Sequence, residues 1–180
     1  MRRLGQFICL SFLVLTFSCD SEALFDDNNP DALLVGEWDV VSIESISYSS
    51  TMINTNGGQS DTSVGSFTGT DIDMSITFDA DNTFSTSGDY LQVLNIDSPL
   101  PNPIIIETRF NDFDGGGTWE FDGNNDILIQ NVAETLPQTA SVSNFNDTDL
   151  VFDYAYTRTL FEGTITRVID VEVSYVLEKK

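Results

Sequence analysis

Apolar and polar residues alternate along most of the chain that follows residue 33. Between residues 72 and 78 the even positions hold Ile, Met, Ile and Phe, and the odd positions hold Asp, Ser and Thr. From Phe161 to Leu177 the odd positions are apolar apart from Gly163 and Arg167. A period of two is typical of antiparallel strands with one face in a core. The chain shows no comparable helical period, so the pattern predicts an all-β domain.

Short polar blocks separate the alternating segments. The segments 78–84, 121–127 and 145–150 each place Asp, Asn or Gly between apolar strand ends, which predicts hairpin turns because these residues tolerate left-handed backbone. The predicted strands lie near residues 34–48, 71–79, 82–95, 103–111, 117–122, 125–132, 139–145, 149–159 and 163–178. Their order predicts an antiparallel up-and-down meander that closes into a barrel of about eight strands.

A polar, nearly uncharged segment, residues 49–70, separates the first two predicted strands. Loops of this length without regular structure are uncommon in compact domains, where they serve as lids or are disordered. We therefore expect residues 49–70 to form an irregular loop, either a lid over one end of the barrel or a disordered segment.

The first eighteen residues resemble a bacterial export signal. Two arginines precede an apolar run over residues 4–17, which is shorter than the roughly 20 residues needed to cross a bilayer. Residues 15–19, Leu-Thr-Phe-Ser-Cys, resemble the lipobox of bacterial lipoproteins, although Phe17 is bulkier than that position usually carries. The resemblance implies that Cys19 is lipidated and becomes the mature N-terminus. An ordinary secretory signal with an incidental cysteine is the alternative.

Cysteine usage fits a lipid anchor. Only Cys9 and Cys19 are present, and Cys9 lies in the segment to be removed, so the mature chain has no thiol pair for a disulfide. A multiply acylated cysteine would hold the protein at a membrane without a spanning helix. Residues 19–32 then predict an acidic tether, and residues 33–180 the single folded domain.

Negative charge dominates the mature chain. All 29 acidic residues follow Cys19, whereas two of the seven basic residues precede it, which leaves five basic residues and a net charge of −24. Such a surface repels phosphate backbones and anionic headgroups, so we expect no nucleic acid partner and no membrane contact other than the lipid. The acidic residues 20–22 resemble the export signal that sends lipoproteins of the Bacteroidetes to the outer face of the outer membrane. The resemblance implies a location in the cell envelope, at the cell surface.

The composition argues against an enzyme. The chain has no histidine, and its only mature cysteine is the one predicted to carry lipid. These absences remove the usual base and metal ligands and the cysteine nucleophile. Paired carboxylates could still serve a glycosidase. Asp122, Asn124 and Asp126 have calcium-loop spacing, but Ile127 and Ala133 replace the required Gly and Glu, and a hairpin needs no metal. We expect no cofactor.

The first predicted strand begins with the sequence Leu-Val-Gly-Glu-Trp at residues 34–38, and a second Gly-x-Trp follows at residues 117–119. The first of these resembles the lipocalin hallmark, and the whole arrangement is similar to the lipocalin-like lipoproteins of the Bacteroidetes. The resemblance implies that Trp38 packs at the closed end of the barrel, beneath an arginine from a late strand.

Two arginines are candidates for that role. Arg158 and Arg167 both fall on the inward face of the last two strands, and a two-residue turn at 162–163 would place them directly opposite each other. Like charges in that position destabilise a sheet unless an anion, a carboxylate or an aromatic face lies between them. In one interpretation Arg167 stacks on Trp38 and Arg158 pairs with a surface acid. In the other, both arginines, with Tyr154 and Tyr156, bind the carboxylate or phosphate of an apolar ligand.

Two functions remain open from the sequence. The first is a membrane-tethered, lipocalin-like binding protein that holds a small, largely apolar ligand in contact with Trp38, Tyr154, Tyr156, Arg158 and Arg167. The second is a cell-surface interaction or structural lipoprotein with a filled core, whose loops contact a protein or glycan partner. The degree to which side chains fill the barrel distinguishes the two.

Overall fold

The computed structural model describes residues 30–54, 56–97, 104–111, 115–122, 126–131 and 138–180. The predicted signal peptide, Cys19 and the tether as far as residue 29 lie outside the described residues, as does Asn124 of the calcium-like loop. Within the described ranges, no helix has the length and apolar character needed to cross a membrane.

The described residues form one short helix and nine strands, so the all-β prediction is confirmed. Each predicted strand has a counterpart in the structure. The elements are α1 (Pro30–Leu34), β1 (Gly36–Asn54), β2 (Gln59–Phe78), β3 (Thr83–Ile96), β4 (Ile104–Phe110), β5 (Gly115–Phe121), β6 (Ile127–Asn131), β7 (Gln138–Phe145), β8 (Asp149–Glu162) and β9 (Ile165–Lys179).

All nine strands belong to one antiparallel sheet that closes on itself. Strands adjacent in sequence pair with each other except β4 and β5, and β9 returns to pair with β1 over the whole length from Lys179 to Ile165. Strands β4 and β5 follow one another along the same edge of β3, with β4 beside residues 90–96 and β5 beside residues 83–86. They therefore share one position, and the ring has eight strands.

One end of the barrel, called the closed end below, is covered by α1. Pro30 begins the helix, a position where its missing N–H costs nothing, and Leu34 ends it with a fully buried side chain. The Trp38 indole Nε1 donates a hydrogen bond of 2.8 Å to the Leu34 carbonyl oxygen. The helix starts three residues before the predicted domain boundary, and five residues are too few to show a helical period.

The prediction of an irregular loop over residues 49–70 is wrong. Strand β1 continues to Asn54 and β2 starts at Gln59, so the segment is a long hairpin. Its tip lies beside the β8–β9 turn, because Asn54 pairs with Ile165. These two tips mark what is called the far end of the barrel below.

Inward side chains fill the closed half of the barrel with aromatic and branched aliphatic groups. Trp119, from the second Gly-x-Trp, meets Phe78 edge to face at 5.9 Å, and its indole Nε1 donates to the Thr83 carbonyl oxygen at 2.9 Å. The most buried large side chains are Leu34, Trp38, Ile43, Phe78, Ile127, Leu150, Val173 and Leu177. The core is therefore concentrated near the closed end and leaves room further along the barrel.

Candidate ligand-binding cavity

A cavity of about 430 Å³ occupies the interior between the closed end and the far end. Inward positions of seven strands line it, because successive side chains of a strand point to opposite faces. Its volume falls within the range typical of small-molecule sites. The apolar part of the wall includes Phe67, Met74, Ile76, Leu94, Phe110 and Ile169.

All five tyrosines of the chain line this cavity: Tyr48, Tyr90, Tyr154, Tyr156 and Tyr175. Two of them stack on phenylalanines, Tyr90 on Phe110 at 5.0 Å and Tyr175 on Phe152 at 5.3 Å between ring centroids. These contacts hold the rings against the wall. The tyrosine side chains therefore contribute both aromatic surface and hydroxyl groups to the interior.

Three of the tyrosine hydroxyls have a raised pKa and are protonated at neutral pH. Burial raises the pKa of Tyr90 from its ordinary value of 10.0 to about 12, and it also raises the pKa of Tyr175. Burial raises the pKa of Tyr156 as well, although the nearby Arg158 guanidinium opposes the shift. Neutral hydroxyls donate hydrogen bonds, as does the Asn131 side-chain amide, which donates to the Tyr154 hydroxyl at 3.3 Å.

Arg158 is the single charged residue among the described residues that line the cavity. Its side chain is exposed, so it lies where the cavity meets solvent. The many carboxylates of strands β8 and β9, such as Asp153 and Asp170, alternate with the inward residues and point outward. The cavity is therefore apolar and weakly positive inside a strongly acidic protein.

The register of the last two strands differs from the predicted one. Gly163 and Thr164 form the turn, so Arg158 lies opposite Ile169 and Arg167 lies opposite Leu160. Gly163 adopts the left-handed φ of 65° that such a turn favours. Moving a two-residue turn by one position shifts the register by two, and the arginines are therefore diagonal neighbours rather than directly opposite.

Trp38 is not among the described residues that line the cavity, although the sequence predicts a ligand-binding role for it. It is fully buried at the closed end, and the residue over its ring is Lys179 of β9, with the ammonium nitrogen 5.1 Å from the ring centroid. Arg167 instead lies beside Met52 of β1, near the far end. The expectation that Arg167 stacks on Trp38 is therefore wrong, and a lysine takes the place that the resemblance assigns to an arginine.

The structure thus brings together three of the five predicted ligand-binding residues, Tyr154, Tyr156 and Arg158, along one wall. Sequence reasoning missed Tyr48, Tyr90 and Tyr175. The alternating pattern can show that each side chain points inward, but the three meet at one cavity only because the sheet closes into a ring. No protein-family model matches the chain, and no curated protein sequence is significantly similar to it.

Proposed function

We propose that this protein is a membrane-tethered binding protein that holds a small, largely apolar molecule inside its barrel. The observation that carries the proposal is the cavity of about 430 Å³, with its aromatic wall and few polar groups. Ligand sites of this kind bury most of an apolar ligand and use a small number of polar side chains to orient it.

The size of the cavity favours a carrier over a protein with a filled core. Protein interiors contain few voids larger than a water molecule. At about 30 Å³ for each water, the cavity has the volume of roughly 14 water molecules. An apolar ligand would replace water that makes few hydrogen bonds to the aromatic wall. Ligand binding therefore explains why side chains do not fill the barrel interior.

The predicted lipid at Cys19 would place this cavity at a membrane surface. The lipobox-like residues 15–19 and the acidic residues 20–22 support an anchored protein of the outer membrane, exposed at the cell surface. The Gly-x-Trp of β1 and the eight-stranded ring support membership among the lipocalin-like lipoproteins. Absence of histidine from the sequence supports binding rather than catalysis.

A second candidate function rests on a different surface. Strand β4 exposes three consecutive isoleucines, Ile104, Ile105 and Ile106, and Phe161 beside the β8–β9 turn is 79% exposed. Exposed apolar clusters of this kind are typical of protein contact sites. The alternative is therefore a cell-surface interaction protein that contacts a protein or glycan partner through its far end.

A ligand-retention experiment tests the carrier proposal. The full chain is expressed in its own host, extracted in polymer discs without detergent, and analysed by native mass spectrometry with organic extraction. We expect one small, largely apolar molecule per protein. Thr86→Trp, which places an indole in the cavity, should remove at least about nine-tenths of it because a blocked site excludes the ligand.

The neighbouring position supplies the control. Ser85 is exposed on the outer face of β3, so Ser85→Trp adds the same bulk outside the cavity and should leave the bound molecule in place. An empty wild-type protein, or equal retention in both variants, would overturn the carrier proposal and favour the interaction protein.

A further inference from the structure

Three of the positively charged side chains after Cys19 contact oxygen atoms within the protein. Five cationic side chains follow Cys19, and all five are described. Arg109, Lys179 and Lys180 each contact carboxylate or carbonyl oxygens. Among the described residues, Arg158 and Arg167 have no carboxylate within salt-bridge distance. In a chain with 29 acidic residues, two unpaired arginines on the inner face require a reason.

The strand register brings these two arginines together. Arg158 lies opposite Ile169, and Arg167 is two residues from Ile169 on the same face of β9. Diagonal neighbours of this kind are about 7–8 Å apart, a distance that long side chains span easily. Two guanidinium groups at this spacing repel each other unless an anion lies between them. The pair therefore lacks a negatively charged partner.

Arg167 carries a more specific sign of a missing partner. Its Nε is buried and has no hydrogen-bond partner among the described residues, and its Nη2 contacts the thioether sulfur of Met52 at 3.7 Å. A sulfur is a weak acceptor, whereas leaving a buried charged donor unsatisfied is costly. An anionic oxygen arriving beside Arg167 would meet that need.

The cavity lining also favours an anionic ligand over a cationic one. Arg158 supplies its one charge, the described lining residues include no acid, and the hydroxyls of Tyr90 and Tyr175 are protonated donors. A carboxylate or phosphate at this wall would accept hydrogen bonds from both kinds of donor. A cationic ligand would find no charge partner there.

We propose that Arg158 and Arg167 together bind the anionic group of the ligand, a carboxylate or a phosphate, while its apolar body lies in the cavity. The inference rests on the proposed binding function and names its ligand class, an amphiphile with one anionic group. The anionic group would lie toward the far end, beside β8 and β9, and the body would point toward the closed end.

Two fluorescent probes with nearly the same apolar body test this. The probe 1-anilinonaphthalene-8-sulfonate carries one anionic group, and N-phenyl-1-naphthylamine carries none. We expect Arg158→Gln and Arg167→Gln each to weaken binding of the sulfonate probe about tenfold, the cost of losing one charged hydrogen-bonding partner. Binding of the neutral probe should change less than about twofold, which also shows that the variants fold.

Arg109→Gln is the matched control. Arg109 lies on the outer face of β4, where it contacts Asp71 and Asp89, so its loss should leave both probes unaffected. If wild-type protein binds both probes but the inner arginine variants weaken them equally or not at all, the anion site is wrong while the binding function stands. If neither probe enters the wild-type cavity, the binding function itself fails.

Competition identifies the source of the anionic group. Dodecanoate and dodecyl phosphate should each displace the sulfonate probe from wild-type protein more effectively than dodecanol, and the tighter of the two shows whether the site prefers carboxylate or phosphate. Displacement by dodecanol as effective as by both anions would overturn the proposal.

Discussion

The five tyrosines determine how the cavity responds to pH. Each ring contributes to an apolar wall, and the hydroxyls of Tyr90, Tyr156 and Tyr175 stay neutral donors because desolvation raises their pKa. Ionisation of even one buried hydroxyl would place a negative charge beside other tyrosines: the pKa of Tyr175 is raised by its neighbours Tyr90, Tyr154 and Tyr156 in addition to its burial. These three hydroxyls therefore stay uncharged into the alkaline range.

This predicts a loss of stability at high pH. The folded protein keeps the Tyr90 proton until about pH 12, whereas the unfolded chain releases it near pH 10.0. Above pH 10.0 the unfolded state thus binds fewer protons, and the free energy of unfolding falls as pH rises toward 12. The contribution of Tyr90 is about 3 kcal/mol, fully present below pH 10.0. Urea unfolding between pH 9 and pH 12 measures it.

Tyr90→Phe provides the comparison, because phenylalanine keeps the stacking on Phe110 but has no proton to release. The variant should lose less stability than wild type over this pH range. Identical curves for the two proteins would show that burial of the Tyr90 hydroxyl has no such effect.

At the scale of elements, the sequence predicted strands well wherever one face meets the core. The alternation over residues 72–78 and 161–177 results directly from that burial. It fails over residues 49–70, because the tip of the β1–β2 hairpin extends past the core and polar residues occupy both faces of most of the segment. Phe67 is a buried exception. What holds this hairpin is main-chain pairing, with side-chain contacts such as the 3.0 Å hydrogen bond between the Thr51 and Thr62 hydroxyls. Such pairing leaves no hydrophobic period to read.

The candidate site was predictable only in part for a related reason. Parity places Tyr154, Tyr156 and both arginines on the inner face, but their neighbours depend on the register, which one residue in the β8–β9 turn decides. The contribution of Tyr48 and Tyr90 from distant strands follows only from ring closure. The lysine over Trp38 was missed because the family resemblance suggests an arginine.

Strand β3 contains a glycine on which the pairing with β2 depends. Gly88 has a φ of 111°, and a Cβ there would collide with the main-chain oxygen of Asp73 on β2. Gly88→Ala should therefore lower the free energy of unfolding by about 2–3 kcal/mol, through backbone strain and a displaced strand. Gly57→Ala, at a turn position with no atom within 4 Å of the new methyl, should change it by less than about 0.5 kcal/mol. Equal effects in chemical denaturation would contradict the steric explanation.

At the scale of the whole molecule, Lys179 joins the two ends of the domain. Its ammonium donates a 2.6 Å hydrogen bond to the Leu33 carbonyl oxygen and lies over the Trp38 ring, so it connects β9 to the segment that precedes β1. Lys179→Met keeps the apolar stem and removes the charge. We expect a loss of about 1–3 kcal/mol, from one charged hydrogen bond and one cation–π contact.

The adjacent Lys180 is the control, because its ammonium contacts Glu37 and Asp39 at the exposed surface. Lys180→Met should cost less than Lys179→Met, and its effect should disappear in high salt, where exposed ion pairs are screened. Guanidinium chloride is itself a salt, so urea is the denaturant to use. A larger loss for Lys180→Met would show that the closed end does not depend on the Trp38 contact.

Closure of the ring by the first and last strands also has a consequence for the order of events during synthesis. A chain that is made and exported from its N-terminus delivers β1 more than a hundred residues before β9, so one edge of β1 stays unpaired until the fifteen residues of β9 follow. Contacts between such distant segments form slowly, and a waiting edge is open to pairing with other chains. A chain that is truncated before β9 is therefore prone to aggregate with other chains through the unpaired edge of β1. Quality control that recognises an open β-edge would distinguish the truncated protein from the full-length one.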